Sequence, residues 1–272
     1  MVDREMMRVT DIKMIFFDID GTLTHHEDGS IPSSARDAIG ELLDRGIRLV
    51  AATGRPLSMC GEIKDLGIET LITANGGYAT HGDEVIFQSV LSTQTVEAVS
   101  SFAMASGHGL SFYTDSFSMN GIEERRTMPA LLETLGLKDY PPVVEKMGEG
   151  VFLMCLFAGD ESMHLYHKRF PELTFRRWHP FILNVLETDV SKSIAMKKIL
   201  DHFGLHPSEA MAFGDGGNDI DMLQLVGTGV AMGNAGDELK RVADFVTKPS
   251  GEDGVAFALR ELGVISGVRC NS

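Results

Sequence analysis

Apolar positions along the chain come in two textures. Near the start, Met14, Ile15, Phe16 and Phe17 form an unbroken run, as expected of a strand buried on both faces. Pro32 and Ser33 then open a segment with Ala35, Ile39, Leu42 and Leu43 at helical spacing, and Gly46 stops it. A second apolar run, 47–52, ends in Thr53-Gly54-Arg55-Pro56. A helix follows to Leu66, stopped by Gly67, and a third strand, 71–74, closes on Asn75-Gly76-Gly77. Strands alternating with helices at this spacing predict an α/β fold with a parallel, doubly wound sheet. Ligands of such sheets sit beyond the carboxyl ends of the strands.

The texture then changes. Residues 78–90 read as a hairpin turning at His81-Gly82-Asp83. Beyond Ser92 the pattern predicts a helix (93–107), two short strands (111–114 and 116–120), a helix (129–135), a strand (151–157), a helix (161–170) and two further strands (173–178 and 181–187). Strands that follow one another directly predict an α+β module with an antiparallel sheet. The alternating texture resumes with a helix over 191–203 and strands over 210–213, 230–232 and 245–247, separated by helices, the last over 254–262. A doubly wound core needs only about 30 residues per βα unit, so the surplus reads as an insertion. The expected division is a core of residues 1–81 and 189–272 and an inserted α+β domain of residues 82–188. The tail from Ser266 to Ser272 reads as disordered.

Composition narrows the function without naming it. The 272 residues are 43% hydrophobic and 23% charged, ordinary for a globular chain, with a formal net charge of −15. That charge disfavours nucleic acid and anionic membrane as partners. It does not exclude a phosphate, because a bound cation reverses the local field. Cys60, Cys155 and Cys270 show no paired spacing, which argues against a disulfide framework or a structural zinc and fits a reducing compartment. The first residues lack an apolar run of signal-peptide length, and no stretch nears the ~20 residues of a membrane span. A cytoplasmic protein is the expectation, as monomer or homodimer.

The chemistry concentrates after the first strand, in Asp18-Ile19-Asp20-Gly21-Thr22. If the strand persists, Asp18 and Asp20 point the same way. Two carboxylates so placed repel unless a cation lies between them or one holds a proton. Asp and Gly are also ordinary turn residues. The surroundings weigh against that plainer reading. Three other segments fall at ends of predicted elements on the same edge: Thr53-Gly54-Arg55, Ser191-Lys192 and Gly214-Asp215-Gly216-Gly217-Asn218-Asp219. Together they offer carboxylates, a hydroxyl, a cation and glycine-rich backbone. Oxygen donors of this kind suit Mg²⁺ shared with a phosphate, and the absence of His and thiol argues against zinc or copper.

These four segments, in this order, resemble the motifs of the haloacid dehalogenase (HAD) superfamily, and within it the Cof-type hydrolases, whose α/β cap is inserted between the second and third motifs. The resemblance extends to Ala231-Met232-Gly233-Asn234-Ala235 and Asp253-Gly254-Val255, and runs from Ile15 to Leu262. One departure is Ser193 after Lys192, where glycine is common. The resemblance implies a Mg²⁺-dependent phosphatase acting on a small phosphorylated metabolite, a sugar phosphate or a phosphorylated cofactor. It implies Asp18 as nucleophile and Asp20 as acid and base. Asp18, Asp20 (through its main-chain carbonyl), Asp215 and Asp219 would surround the metal. Ile19, Thr53, the Gly54 amide, Lys192 and Asn218 would hold the phosphate. The inserted domain would set specificity. There Arg176, Arg177, Trp178 and His179 read either as a substrate contact or as an exposed strand edge, and Asn75-Gly76 as a turn or a substrate contact. A phosphomutase and a non-catalytic metabolite sensor remain alternatives on the same motifs.

Overall fold

The structure is a computed structural model that describes residues 12–144, 150–187 and 190–266. The expected boundary between residues 188 and 189, Cys270 and all but the first residue of the tail lie outside these. In chain order the elements are β1 (Met14–Phe17), α1 (Ser33–Asp44), β2 (Arg48–Ala52), α2 (Gly61–Lys64), β3 (Thr70–Thr73), β4 (Tyr78–His81) and β5 (Glu84–Gln88). Then come α3 (Thr93–Ala105), β6 (Gly109–Tyr113), β7 (Phe117–Met119), α4 (Thr127–Leu135), β8 (Leu153–Phe157), α5 (Asp160–Arg169), β9 (Thr174–His179) and β10 (Ile182–Leu186). The last stretch holds α6 (Lys192–His202), β11 (Ala210–Gly214), α7 (Ile220–Leu225), β12 (Thr228–Ala231), α8 (Asp237–Val242), β13 (Phe245–Val246) and α9 (Gly254–Glu261).

Contacts divide the chain into two units. Residues up to Thr53, 61–87 and those from Ser191 on form one; 54–60 and 88–190 form the other. The first unit is built on an eight-stranded sheet in the order β13-β12-β11-β1-β2-β3-β4-β5. Its pairs from β13 to β3 are parallel, and β4 runs antiparallel to β3. β1 lies between β2 and β11, so the strand order reverses at β1, and the crevice of a doubly wound sheet opens at such a point. Met14, Phe16, Val50, Ala52 and Ile72 pack under Ala195, Met196, Ile199 and Leu200 of α6 and Met222 and Leu223 of α7; α1 and α9 pack on each other. The unit continues through Phe87, past the expected division after His81, because β5 adds to the sheet beside β4.

The second unit holds a five-stranded antiparallel sheet in the order β7-β6-β8-β10-β9. Leu110, Phe112, Met154, Leu156, Leu183 and Val185 face Val96, Val99 and Ala103 of α3 and Met163 and Tyr166 of α5. β9 is an edge strand with alternating exposure, the plainer of the two readings of Arg176–His179. Arg177 pairs with Asp160 at 2.8 Å. Two local expectations fail. The helix expected to reach Leu66 is a single turn, Gly61–Lys64, preceded by a short turn at Leu57–Met59. β1 ends at Phe17, before either aspartate. Among the described residues no helix is long and apolar enough to cross a membrane.

Candidate active site

Four strand or helix ends of the first unit supply the site. Asp18 follows β1, and its N–H donates to the Phe213 carbonyl of β11 at 2.9 Å. The chain then turns: Gly21 has φ +82°, so Asp18 and Asp20 do not share a strand face. Asp18 is 7% exposed, whereas Asp20 is exposed. The turn thus separates the two carboxylates that strand geometry would have kept together. Gly21 is required twice over, by its left-handed φ and because a Cβ there would strike the Asp215 carboxylate.

Lys192 is the least expected placement. Ser191 caps α6, its Oγ accepting from the Ile194 N–H at 3.4 Å, and this sets Lys192 in the first turn. The side chain is 1% exposed, with Nζ donating to Asp18 Oδ1 at 2.5 Å and Asp219 Oδ1 at 2.7 Å. A solvated lysine at a helix start is therefore excluded. Asp219 is fully buried, and its other oxygen, Oδ2, accepts the Asp215 and Gly216 amides at 3.0 Å each. Asp215 accepts from Thr22 Oγ1 at 2.9 Å and from Asn234 Nδ2 at 3.3 Å. Asn234 also donates to the Gly21 carbonyl at 2.9 Å, tying the loop after β12 to the loop after β1.

Electrostatics follow from this crowding. Burial pushes the Asp18 carboxyl well above the usual range; Lys192 pulls it down, and Asp219, Asp215 and Asp20 push it up again. Burial would lower the Lys192 ammonium, but the charges and hydrogen bonds of Asp18 and Asp219 outweigh it and hold the proton on. Burial first, then the Asp219 charge, pushes Asp215 up to about 6, against the Thr22 hydrogen bond. One ammonium therefore faces three carboxylates. Ligand oxygens of Asp18, Asp215 and Asp219 lie within 4.8 Å of one another. An all-oxygen set short of positive charge fits a hard divalent cation.

The remaining residues fall as follows. Thr53 is fully buried after β2, its N–H donating to Ile72 at 2.8 Å. Ile19 is buried in the turn after Asp18. Asn218 is exposed beside Asp219, its Nδ2 donating to Asn75 Oδ1 at 3.2 Å. Gly54 directly follows Thr53 and opens the segment 54–60 that groups with the second unit. Sequence reasoning gave no role to Thr22 or Asn234. Both carried a signal: each follows a strand of the sheet on its carboxyl side.

A model of the haloacid dehalogenase-like hydrolases matches residues 15–259, and the chain belongs to that family, as a Cof-type hydrolase. A relative in Bacillus subtilis strain 168, named "Putative phosphatase YkrA", is 38% identical over 260 residues, 94% of this chain and 99% of that protein. Another in the same organism, 5-amino-6-(5-phospho-D-ribitylamino)uracil phosphatase YcsE, is 31% identical over 253 residues, 92% of this chain and 95% of that one. Among solved structures, the HAD subclass IIB sugar phosphatase BT4131 superposes with TM-score 0.81 at 34% identity, over 93% of this chain and 100% of that one. The chain is a phosphatase.

Proposed function

We propose that this phosphatase hydrolyses a small phosphate ester with Mg²⁺ bound, through an aspartyl-phosphate at Asp18. The observation that carries the reading is the buried Lys192 ammonium shared by Asp18 and Asp219, beside a third carboxylate, Asp215, short of positive charge. Mg²⁺ at this cluster would supply the missing positive charge and keep Asp18 ionised. Asp18, Asp215 and the Asp20 main-chain carbonyl would hold it. Both oxygens of Asp219 are already engaged, by Lys192 and by two amides, which fits a supporting part that orients Asp215.

In the first step an Asp18 oxygen attacks phosphorus and the ester P–O bond breaks. Asp20, exposed to solvent, gives a proton to the departing alkoxide. In the second step Asp20 takes a proton from water, the water oxygen attacks phosphorus, and the bond from phosphorus to Asp18 breaks, releasing inorganic phosphate and returning Asp18 as a carboxylate and Asp20 as the protonated acid. Lys192, Thr53, Ile19 and Asn218 would hold the phosphoryl oxygens, where fixed donors stabilise the charge of the transition state.

Two similar phosphatases are named for a sugar and for a ribityl phosphate, which supports a phosphate carried on a polyhydroxylated chain. The second unit would choose among such chains. The test is a panel of sugar phosphates, ribityl phosphates, pyridoxal phosphate, flavin mononucleotide and an aryl phosphate, ranked by kcat/KM with Mg²⁺. Release of free phosphate, lost on chelation, supports the reading. Isomerised sugar phosphate in place of free phosphate would indicate a mutase, and full activity in chelator would remove the metal from the account.

A further inference from the structure

Immediately after β3 the backbone does something costly. Ala74, Asn75 and Gly76 have φ of +52°, +54° and +100° in succession. Left-handed backbone is uncommon for an alanine and is sustained only where surroundings over-determine it; such outliers gather at functional sites. Here the surroundings are the site itself. The Asn75 N–H donates to the Thr53 carbonyl at 3.1 Å, and the Gly77 N–H closes the turn on Ala74 at 3.1 Å. Gly76 packs so closely on the Ser191 carbonyl, one residue before Lys192, that a Cβ would overlap it. Asn75 Oδ1 accepts from Asn218 Nδ2 at 3.2 Å. One strained turn thus touches three of the segments assigned to the phosphate.

The orientation of Asn75 matters. Its Oδ1 is taken by Asn218, and among the described residues its Nδ2 has no protein acceptor. The residue is half-buried, and Asn218, which precedes Asp219 in the chain, is exposed. Resting on the reading above, we propose that Asn75 is a further phosphate-binding and positioning residue. Its Oδ1 fixes the carboxamide of Asn218, and its Nδ2 donates to an oxygen of the transferring phosphoryl group. The three left-handed residues are what bring that carboxamide onto Asn218. The outlier then has a cause: an extended continuation of β3 would carry the side chain elsewhere.

Two variants separate this role from a merely structural one. Asn75→Gly relieves the backbone, since glycine accepts positive φ, but deletes the carboxamide. Asn75→Asp keeps an acceptor for Asn218 and tolerates the left-handed region, but places a carboxylate against the phosphate. The measurements are melting temperature, kcat, KM and the inhibition constant of inorganic phosphate, all with Mg²⁺. The expected result is that Asn75→Gly melts at or above wild type while phosphate binding and kcat/KM weaken by about tenfold or more, the loss of one charge-assisted hydrogen bond. Asn75→Asp is expected to bind phosphate more weakly still. A purely structural residue gives the reverse order, with Asn75→Asp the milder change. Wild-type phosphate inhibition and kcat/KM in both variants, or that reverse order, overturns this proposal alone. Wild-type protein that neither hydrolyses esters nor binds phosphate overturns both it and the function on which it rests.

Discussion

Replacing Lys192 with methionine tests the site as an electrostatic object. The two contacts of 2.5 and 2.7 Å are each worth about 6 kcal/mol of Coulomb attraction at an effective dielectric near 20. Against that stands the cost of burying an ammonium, several kcal/mol, which the variant no longer bears. Breaking a buried pair in this way nets a loss of about 3–5 kcal/mol, because the carboxylates stay behind. Asp219, fully buried, cannot turn to water for relief. The loss should appear in urea unfolding with chelator present, and as a fall in melting temperature of roughly 6–20 °C for a chain of this size. It should grow as pH rises. Without the ammonium the Asp18 carboxyl, which Lys192 now pulls down, rises further in the folded state, so stability present at low pH is lost as it ionises. Adding Asp219→Asn should recover part of the deficit by removing one stranded charge. A loss below about 1 kcal/mol, or one independent of pH, would refute the reasoning, since it would mean that the carboxylates were never dependent on Lys192.

Other consequences follow from the same cluster. Gly21→Ala drives a methyl group into the Asp215 carboxylate and forces a non-glycine into φ +82°; Mg²⁺ affinity by calorimetry should fall about ten- to a hundredfold. In the metal-free chain Asp215 is raised from 3.8 to about 6, so its contribution to stability, up to about 3 kcal/mol, is present at low pH and lost as pH rises through 6. The melting-temperature gain from Mg²⁺ should accordingly be larger at pH 7.5 than at pH 5, and an equal gain at both would contradict the shift. Asp18→Asn should still fold, because Lys192 keeps Asp219 as a charged partner and an amide oxygen can still accept from Nζ, yet turn over no substrate.

Much of the core was legible because its signals are local and repeat. The apolar runs before Asp18, Thr53 and Asp215 are central parallel strands, and a residue at the end of such a strand can be placed at the site edge without knowing any side-chain contact. Lys192 could be put near a helix start from Ser191 alone. Its burial could not, because that depends on Asp18 and Asp219 arriving from strands distant in the sequence. The end of β1 at Phe17 was also hidden: period-two reasoning extends a strand until something stops it, and what stops this one is a turn through Gly21 held by Asn234 and Thr24. Hairpin residues 84–88 read as a departure from the core because their strand is an edge strand with half-exposed positions. Asn75 read either as an Asn-Gly turn or as a substrate contact, and nothing local chooses between the two. Its meaning lies in Thr53, Ser191 and Asn218 around it.

The central claim, that Asp18 becomes phosphorylated, is tested most directly by trapping. The protein would be mixed with Mg²⁺ and its best substrate, quenched during turnover, and reduced with borohydride, which converts an aspartyl-phosphate to homoserine. Peptide mass spectrometry is predicted to find homoserine at position 18, dependent on substrate and on Mg²⁺, and at no other aspartate. Turnover at full rate with Asp18 unmodified, or homoserine at Asp20 or Asp215 instead, would contradict the account.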